Sequence, residues 1–179
     1  MLVNDKGLIR ALKAAYKGLG YKVARDSANL YILSESWAVK LEFAATPRKV
    51  LALLVEQMGI IPQANRAYEI RKRNVQDYMP DMVQKELPKS LYSKSGDDIC
   101  QSLLTLNGAT LWQVTDTGVI VPVAPELEDI VLYNKATSVR YDDHFIVAFG
   151  EYSTVAIRES FLDSAEGIRR NLQAIDLIT

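Results

Sequence analysis

Apolar positions recur along this chain with two periods, and the switches between them outline its elements. Leu8, Ile9, Leu12, Ala15, Tyr16 and Leu19 fall at helical spacing behind an Asn4-Asp5 cap, and Gly18 and Gly20 act as stop signals. Three short β-rich runs follow, at residues 21–25, 30–33 and 37–43, separated by polar turns. In the last run Trp37, Val39, Leu41 and Phe43 alternate with Ala38, Lys40 and Glu42, which predicts a strand with one buried and one wet face. Thr46 and Pro47 read as an N-cap and a first-turn proline for a core helix over 48–58, closed by Gly59. Helical spacing of Ala64, Ala67, Tyr68, Val75, Tyr78 and Met79 predicts a longer helix over 63–78. Pro80 interrupts it, Asp81 recaps a short turn to Lys85, and Pro88 ends that turn.

Beyond a polar stretch at 89–98, Ile99, Leu103, Leu104 and Leu106 are read as a helix or turn ended by Asn107-Gly108. Then come runs at 110–115, 118–123, 138–142, 144–149 and 152–158, the densest apolar and β-branched part of the chain. They predict an antiparallel meander with hairpin turns at 116–118 and 150–151. Between 124 and 134 the pattern favours a short helix opened by Pro125 over a strand, and a final helix capped at Asp163 or Ser164 carries Ile168, Leu172 and Ile175. The fold class expected is α+β: an N-terminal helix plus a three-stranded antiparallel sheet and helices, followed by an antiparallel β-meander and a C-terminal helix. The organisation expected is a basic lobe over 1–88, a linker over 89–98 and an acidic β-rich lobe over 99–179, with a single domain as the alternative. Whether the strands form one sheet or two is open at this level.

Composition narrows the class. At 179 residues the chain can bury a sizeable core, and no apolar run approaches the ~20 residues of a membrane helix. Lys6, Arg10, Lys13 and Lys17 interrupt the first segment, so it reads as structure and not as a secretory address. With Cys100 and His144 the only residues of their kinds, neither an intramolecular disulfide nor a His/Cys metal centre is expected, and the default compartment is the cytoplasm. Neither a phosphate loop, a dinucleotide fingerprint nor a nucleophile elbow is present, so no cofactor is expected.

Charge changes the picture more. The net charge of -1 conceals 16 basic against 9 acidic residues in 1–96, and 5 against 13 in 97–179, so the halves carry opposite signs. Between Asp97 and Asn134 there is no Lys or Arg. A polarised surface of this kind steers association with proteins, copies of the same chain, or nucleic acid. The candidate binding residues are Arg66, Arg71, Lys72 and Arg73 on the predicted helix over 63–78, extended by Lys85, Lys89 and Lys94.

Two clusters suggest chemistry. Asp116-Thr117-Gly118 resembles the active-site tripeptide of retropepsin-like aspartic proteases, where two such aspartates from two subunits share a proton. The resemblance covers three residues. Val119-Ile-Val follows where that family carries a small residue, and no second apolar-apolar-Gly segment stands out, so the hairpin-turn reading is preferred. Asp142-Asp143-His144 has the residue types of an acid/base pair or a weak cation site, and also those of a turn. The reading adopted is a non-catalytic protein-interaction or self-assembly module with a protein partner or its own copy and no membrane. The alternatives are a nucleic-acid-associated protein using the basic helix, and a hydrolase using one of these two clusters.

Overall fold

The computed structural model describes residues 1–72 and 74–160. Its first half comprises α1 (Asp5–Lys17), β1 (Tyr21–Arg25), β2 (Asn29–Leu33), β3 (Trp37–Glu42), α2 (Arg48–Met58), β4 (Arg66–Arg71), β5 (Asn74–Tyr78) and α3 (Pro80–Glu86). Its second half adds β6 (Asp97–Leu106), β7 (Ala109–Val114), β8 (Ile120–Val123), α4 (Pro125–Glu128), β9 (Ser138–Asp142), β10 (Phe145–Phe149) and β11 (Ser153–Arg158). All eleven strands join one antiparallel sheet in the order β5-β4-β1-β2-β3-β11-β10-β9-β6-β7-β8. The expected α+β class therefore holds as few helices on a large antiparallel sheet. The seam between the two sets of strands is β3 against β11, with Val39 opposite Val155 and Ala38 opposite Ala156.

Both faces of the sheet are covered, each for a reason visible in side-chain size. On one face Trp37, Val39 and Leu41 join Val23, Ile32, Ile146, Val155 and Ile157 beneath Leu8 and Leu12 of α1 and Val50, Leu53 and Leu54 of α2. Burying each such aliphatic side chain stabilises the fold by roughly 1.5–3 kcal/mol. The other face was expected to be wet, yet Ala38 is fully buried. It lies among Ala24, Ala67, Val147 and Ala156 in a second cluster with Val83, Leu87 and Leu91. The alanines leave room for α3 and for the short 3-10 turn Lys89–Leu91 to lie close on the sheet. Alternation alone does not distinguish a small buried residue from a small exposed one.

Three local expectations are corrected. The helix over 63–78 is the β4–β5 hairpin. Asn65 breaks the chain with φ 60, and Tyr68 and Ile70 then alternate with Glu69 and Arg71 so as to pair with Val23 and Tyr21 of β1. The helical reading had to omit Ile70, and sheet pairing overrides the helix propensity of the basic residues. Likewise the segment 97–108 is strand β6 and its turn. Asn107 and Gly108 hold φ 50 and 84, the left-handed pair that a two-residue hairpin demands, which places Leu106 opposite Ala109. Finally, Thr46 does not cap α2. Its hydroxyl donates to the Glu42 carbonyl at 3.0 Å, and Pro47 takes the cap position. The short helix at 125–128 and the Gly59 stop of α2, at φ 79, are as expected. The predicted C-terminal helix lies outside the described residues.

Two details fix the frame. In the β1–β2 turn the Asp26 carboxylate accepts from the backbone N–H groups of Ala28 and Asn29 at 2.7 and 2.6 Å and from the Tyr31 hydroxyl at 2.9 Å. Burial alone would raise its pKa, but the N–H groups of Asn29 and Ala28 and the Tyr31 hydroxyl outweigh it and hold Asp26 below the usual aspartate value. At the chain's start, Asn4 N–H donates to Ile130 at 2.9 Å and Leu132 N–H donates to Leu2 at 2.7 Å, so α1 begins against the loop after α4. Gly7 makes that contact feasible, because a Cβ there would lie 1.8 Å from the Asp129 carbonyl oxygen.

Replacing Asp26 by Ala should cost about 1–2 kcal/mol at neutral pH in denaturant unfolding. A depressed folded-state pKa gives stability that is complete above the ordinary aspartate value and is lost as pH falls through the folded one. The gap between Asp26→Ala and wild type should therefore close in acid; a gap constant from pH 7 to strong acid would refute the assignment. Gly7→Ala should cost roughly 1–3 kcal/mol, since backbone and not a flexible side chain must yield, and an unchanged denaturation midpoint would contradict the close approach.

Candidate functional site

The strand order assigns the charge split to places. The β4–β5 hairpin is one end of the sheet and β6–β7–β8 is the other. Arg66 and Arg71 are exposed at the two ends of β4, and Lys72 is exposed in the hairpin turn beside them. Arg73 lies outside the described residues. Lys85 is exposed on α3, which packs over β1 and β4. Lys89 belongs to the 3-10 turn that lies against β11, and Lys94 to the loop that follows, so these two are held towards the middle of the sheet, apart from the hairpin. The structure thus sets Arg71 and Lys72 together at the turn of the β4–β5 hairpin, with Arg66 at the far end of β4, and places Lys89 and Lys94 elsewhere. With no helix at 63–78, nothing there can enter a nucleic-acid groove as a helix.

The hairpin is clamped to the fold by Lys22, whose Nζ donates to the Glu86 carboxylate and, at 3.1 Å, to the Tyr78 hydroxyl, while that hydroxyl donates to Glu86 at 2.7 Å. Partial burial opposes both charges, but these hydrogen bonds prevail, raising the Lys22 pKa and lowering that of Glu86. Arg71 is paired with Glu69 at 3.0 Å but remains largely exposed, and a surface pair of this kind is worth ~0–1 kcal/mol.

At the opposite end the acids are differently engaged. Asp98 pairs with Arg140 at 2.6 Å. Glu128 accepts from the Trp112 indole N–H at 2.7 Å and from the Thr110 hydroxyl, which ties α4 to β7. Asp129 meets Arg10 at 2.8 Å on the surface. Asp97, Asp116 and Glu126 are exposed. Here β6 carries a bulge between Gln101 and Thr105, in which the Ser102 hydroxyl takes the Leu104 N–H at 2.9 Å. The bulge turns Leu103 out to 90% exposure. Among the described residues, no salt bridge links the candidate cations of 66–94 to the acids of 97–134.

The two terminal strands differ in what their outer sides offer. In β7–β8, Val114 N–H donates to Val119 O, and the register then turns the backbone of Pro122 outward. Proline has no N–H to offer, and the Pro122 carbonyl already accepts from Ser160 at 2.8 Å, so that edge is closed. In β4–β5 the Ile70 carbonyl faces Gly20 beside β1, which makes Ile70–Val75 a pair without mutual hydrogen bonds. Val75 and Asp77 therefore aim their backbone groups away from the sheet. Among the described residues nothing accepts or donates there, and Asn74 through Asp77 are all exposed. The sequence reading missed this edge because it placed these residues in a helix.

Candidate chemistry resolves into turns. Asp116 is exposed in the turn between β7 and β8, and Gly118 takes φ 67. Asp143 and His144 take φ 46 and 69 in the turn between β9 and β10. The ring of His144 meets Glu159 at 2.7 Å, not Asp142, and buried Glu159 also accepts from the Tyr141 hydroxyl at 2.9 Å. Glu159 escaped the sequence reading, although extending the β10–β11 register by one pair beyond Phe145–Arg158 sets it opposite His144. Cys100 faces Thr115 at 3.9 Å. Among the described residues no group of three or more His, Cys, Asp or Glu is arranged to hold a metal ion, and no helix is long and apolar enough to cross a membrane.

No protein-family model matches the chain, and no curated protein matches it in sequence. Among solved structures it is similar to the beta subunit from DNA polymerase of Streptococcus pyogenes, with a TM-score of 0.39 and 9% identity over 91% of this chain and 66% of that one. It is also similar to the DNA polymerase III beta chain of Streptococcus pneumoniae, with a TM-score of 0.37 and 8% identity over 92% and 67%. The chain thus spans about two thirds of the length of those proteins. Likeness at this level carries no argument about function, which rests on the chain's own residues.

Proposed function

We propose that this chain is an interaction module and not an enzyme, and that it docks a protein partner or its own copy through the oppositely charged ends of its sheet. The observation that carries the reading is the separation of charge along one continuous sheet. Eleven strands at ~4.8 Å spacing separate the terminal strands by a path of ~50 Å along the sheet. Among the described residues no salt bridge joins the cations of the β4–β5 hairpin to the acids of the opposite end within one molecule. Each is left to attract an opposite charge on a second one, and such fields raise encounter rates more than final affinity. Asp116 lies exposed in a hairpin turn, which supports the same reading.

Light scattering should give a mass above the 20.0 kDa monomer at low salt, falling towards the monomer at roughly 0.5 M salt as screening shortens to ~4 Å. A monomer under both conditions removes the self-assembly branch and leaves a different protein as the partner. Capture of nucleic acid with a steep loss on added salt would instead favour the nucleic-acid alternative, carried by Arg66, Arg71 and Lys72 on the hairpin without a helix.

A further inference from the structure

We infer that the outer edge of β5 is a docking site for an extended acidic segment of a partner protein, added to the sheet as a further antiparallel or parallel strand. This inference rests on the reading of the basic end as an interaction surface and names what it takes. Strand addition needs outward backbone donors and acceptors at alternate residues, and Val75 and Asp77 supply them. It also needs the edge to lack the features that forbid pairing. Asn74–Tyr78 contains no proline, lysine or glycine, and its pairing with β4 shows no register shift. The opposite edge has both a proline and an occupied carbonyl, so the openness of β5 is a property of this edge and not of the sheet in general.

The side chains state what the incoming strand should carry. On one face, Asn74 and Gln76 line a polar pocket of about 210 Å³ with Glu69 and Arg71. On the other, Val75 presents a half-exposed apolar side chain, matching a strand that alternates polar with apolar residues. Arg66, Arg71 and Lys72 flank the strand with exposed positive charge and outnumber the acids beside them, Asp77 on β5 and Glu69, which pairs Arg71, so carboxylates are favoured over basic side chains. A second copy is disfavoured as occupant on both available edges. Its β8 is closed by Pro122, and β5 against β5 in antiparallel pairing would bring the Lys72 end of each copy beside the Arg66 end of the other.

The test is hydrogen exchange and fluorescence anisotropy on the full chain with a labelled peptide of ~8 residues, about the length of a strand, alternating Glu with Val; the control replaces every Glu by Lys. The expected result is binding of the acidic peptide, with slowed exchange at the Val75 and Asp77 amides, and no protection by the lysine peptide. Val75→Pro removes an outward N–H that the fold does not use and should weaken binding at least about tenfold. Lys72→Glu should weaken it several-fold without touching the backbone edge, which keeps the proposal testable if Val75→Pro fails to fold. Equal binding of both peptides, or unchanged binding by a folded Val75→Pro chain, would overturn the proposal. So would loss of low-salt self-association in Val75→Pro with peptide binding intact, because the edge would then belong to a second copy. Protection by the peptide in a chain that stays monomeric at all salt concentrations supports the edge assignment while removing the self-assembly branch. Salt-sensitive association without protection at Val75 and Asp77 overturns the edge assignment alone.

Discussion

Everything in this fold depends on the pairing of β3 with β11. It joins residues more than a hundred positions apart, and without it the chain would hold two separate sets of strands and no common core. The seam is built for its position. Val39 and Val155 meet on the face beneath α1 and α2, and Ala38 and Ala156 meet on the other face, where the segment carrying Leu91 must come close. Backbone bonds extend the seam at both ends, from Glu42 N–H to Tyr152 O at 2.9 Å and from Arg158 N–H to Ser36 O at 2.9 Å. Such non-local pairing must be closed against chain entropy before its contacts repay the cost.

The same seam gives the charge split its geometry. Had the halves folded apart, a basic body and an acidic body on a flexible connection would collapse on each other. Joined edge to edge through β3 and β11, the β4–β5 hairpin and strands β6 to β8 become opposite ends of one sheet, while α1, whose Arg10 meets Asp129, links the two halves on one face. The clamps beside each end serve this arrangement. Lys22, Tyr78 and Glu86 hold the basic hairpin to α3, and Glu128 with Trp112 and Thr110 holds α4 to the acidic hairpin. Stability resides in these half-buried networks, while the freely exposed charges contribute little to it and remain available for contact.

How much of this was legible in the sequence follows from which forces act locally. Strands β1, β2, β3 and β7 to β11 were readable because each is a short run rich in apolar and β-branched residues between turn residues, and α2 because its apolar stripe ends at a left-handed Gly59. The hairpin at 66–78 was not, since Arg71, Lys72 and Asn74 are ambivalent between helix and turn, and only the need of β1 for a neighbour decides the matter. Leu103 and Leu104 suggested a buried helical face, whereas the bulge held by Ser102 turns Leu103 outward. The burial of Ala38 and the pairing of His144 with Glu159 are tertiary facts that no local window contains. The cations of 66–72 were read on a helix and stand on a hairpin, so the shape of that surface was not legible.

The contrast between the two sheet edges shows why shape matters more here than charge. An exposed strand edge is an aggregation hazard, and folded proteins close it with proline, bulges, inward charges or a covering segment. This chain applies two of those at β8, through Pro122 and the Ser160 N–H, and, among the described residues, none along the body of β5. What guards β5 is its brevity, five residues, together with the cations at the hairpin's ends. Those cations do not forbid pairing as proline does; they make it conditional on the sign of the approaching strand. Under the proposed docking, the closed edge at β8 takes no added strand, whereas the cations beside β5 disfavour a basic strand and favour an acidic one.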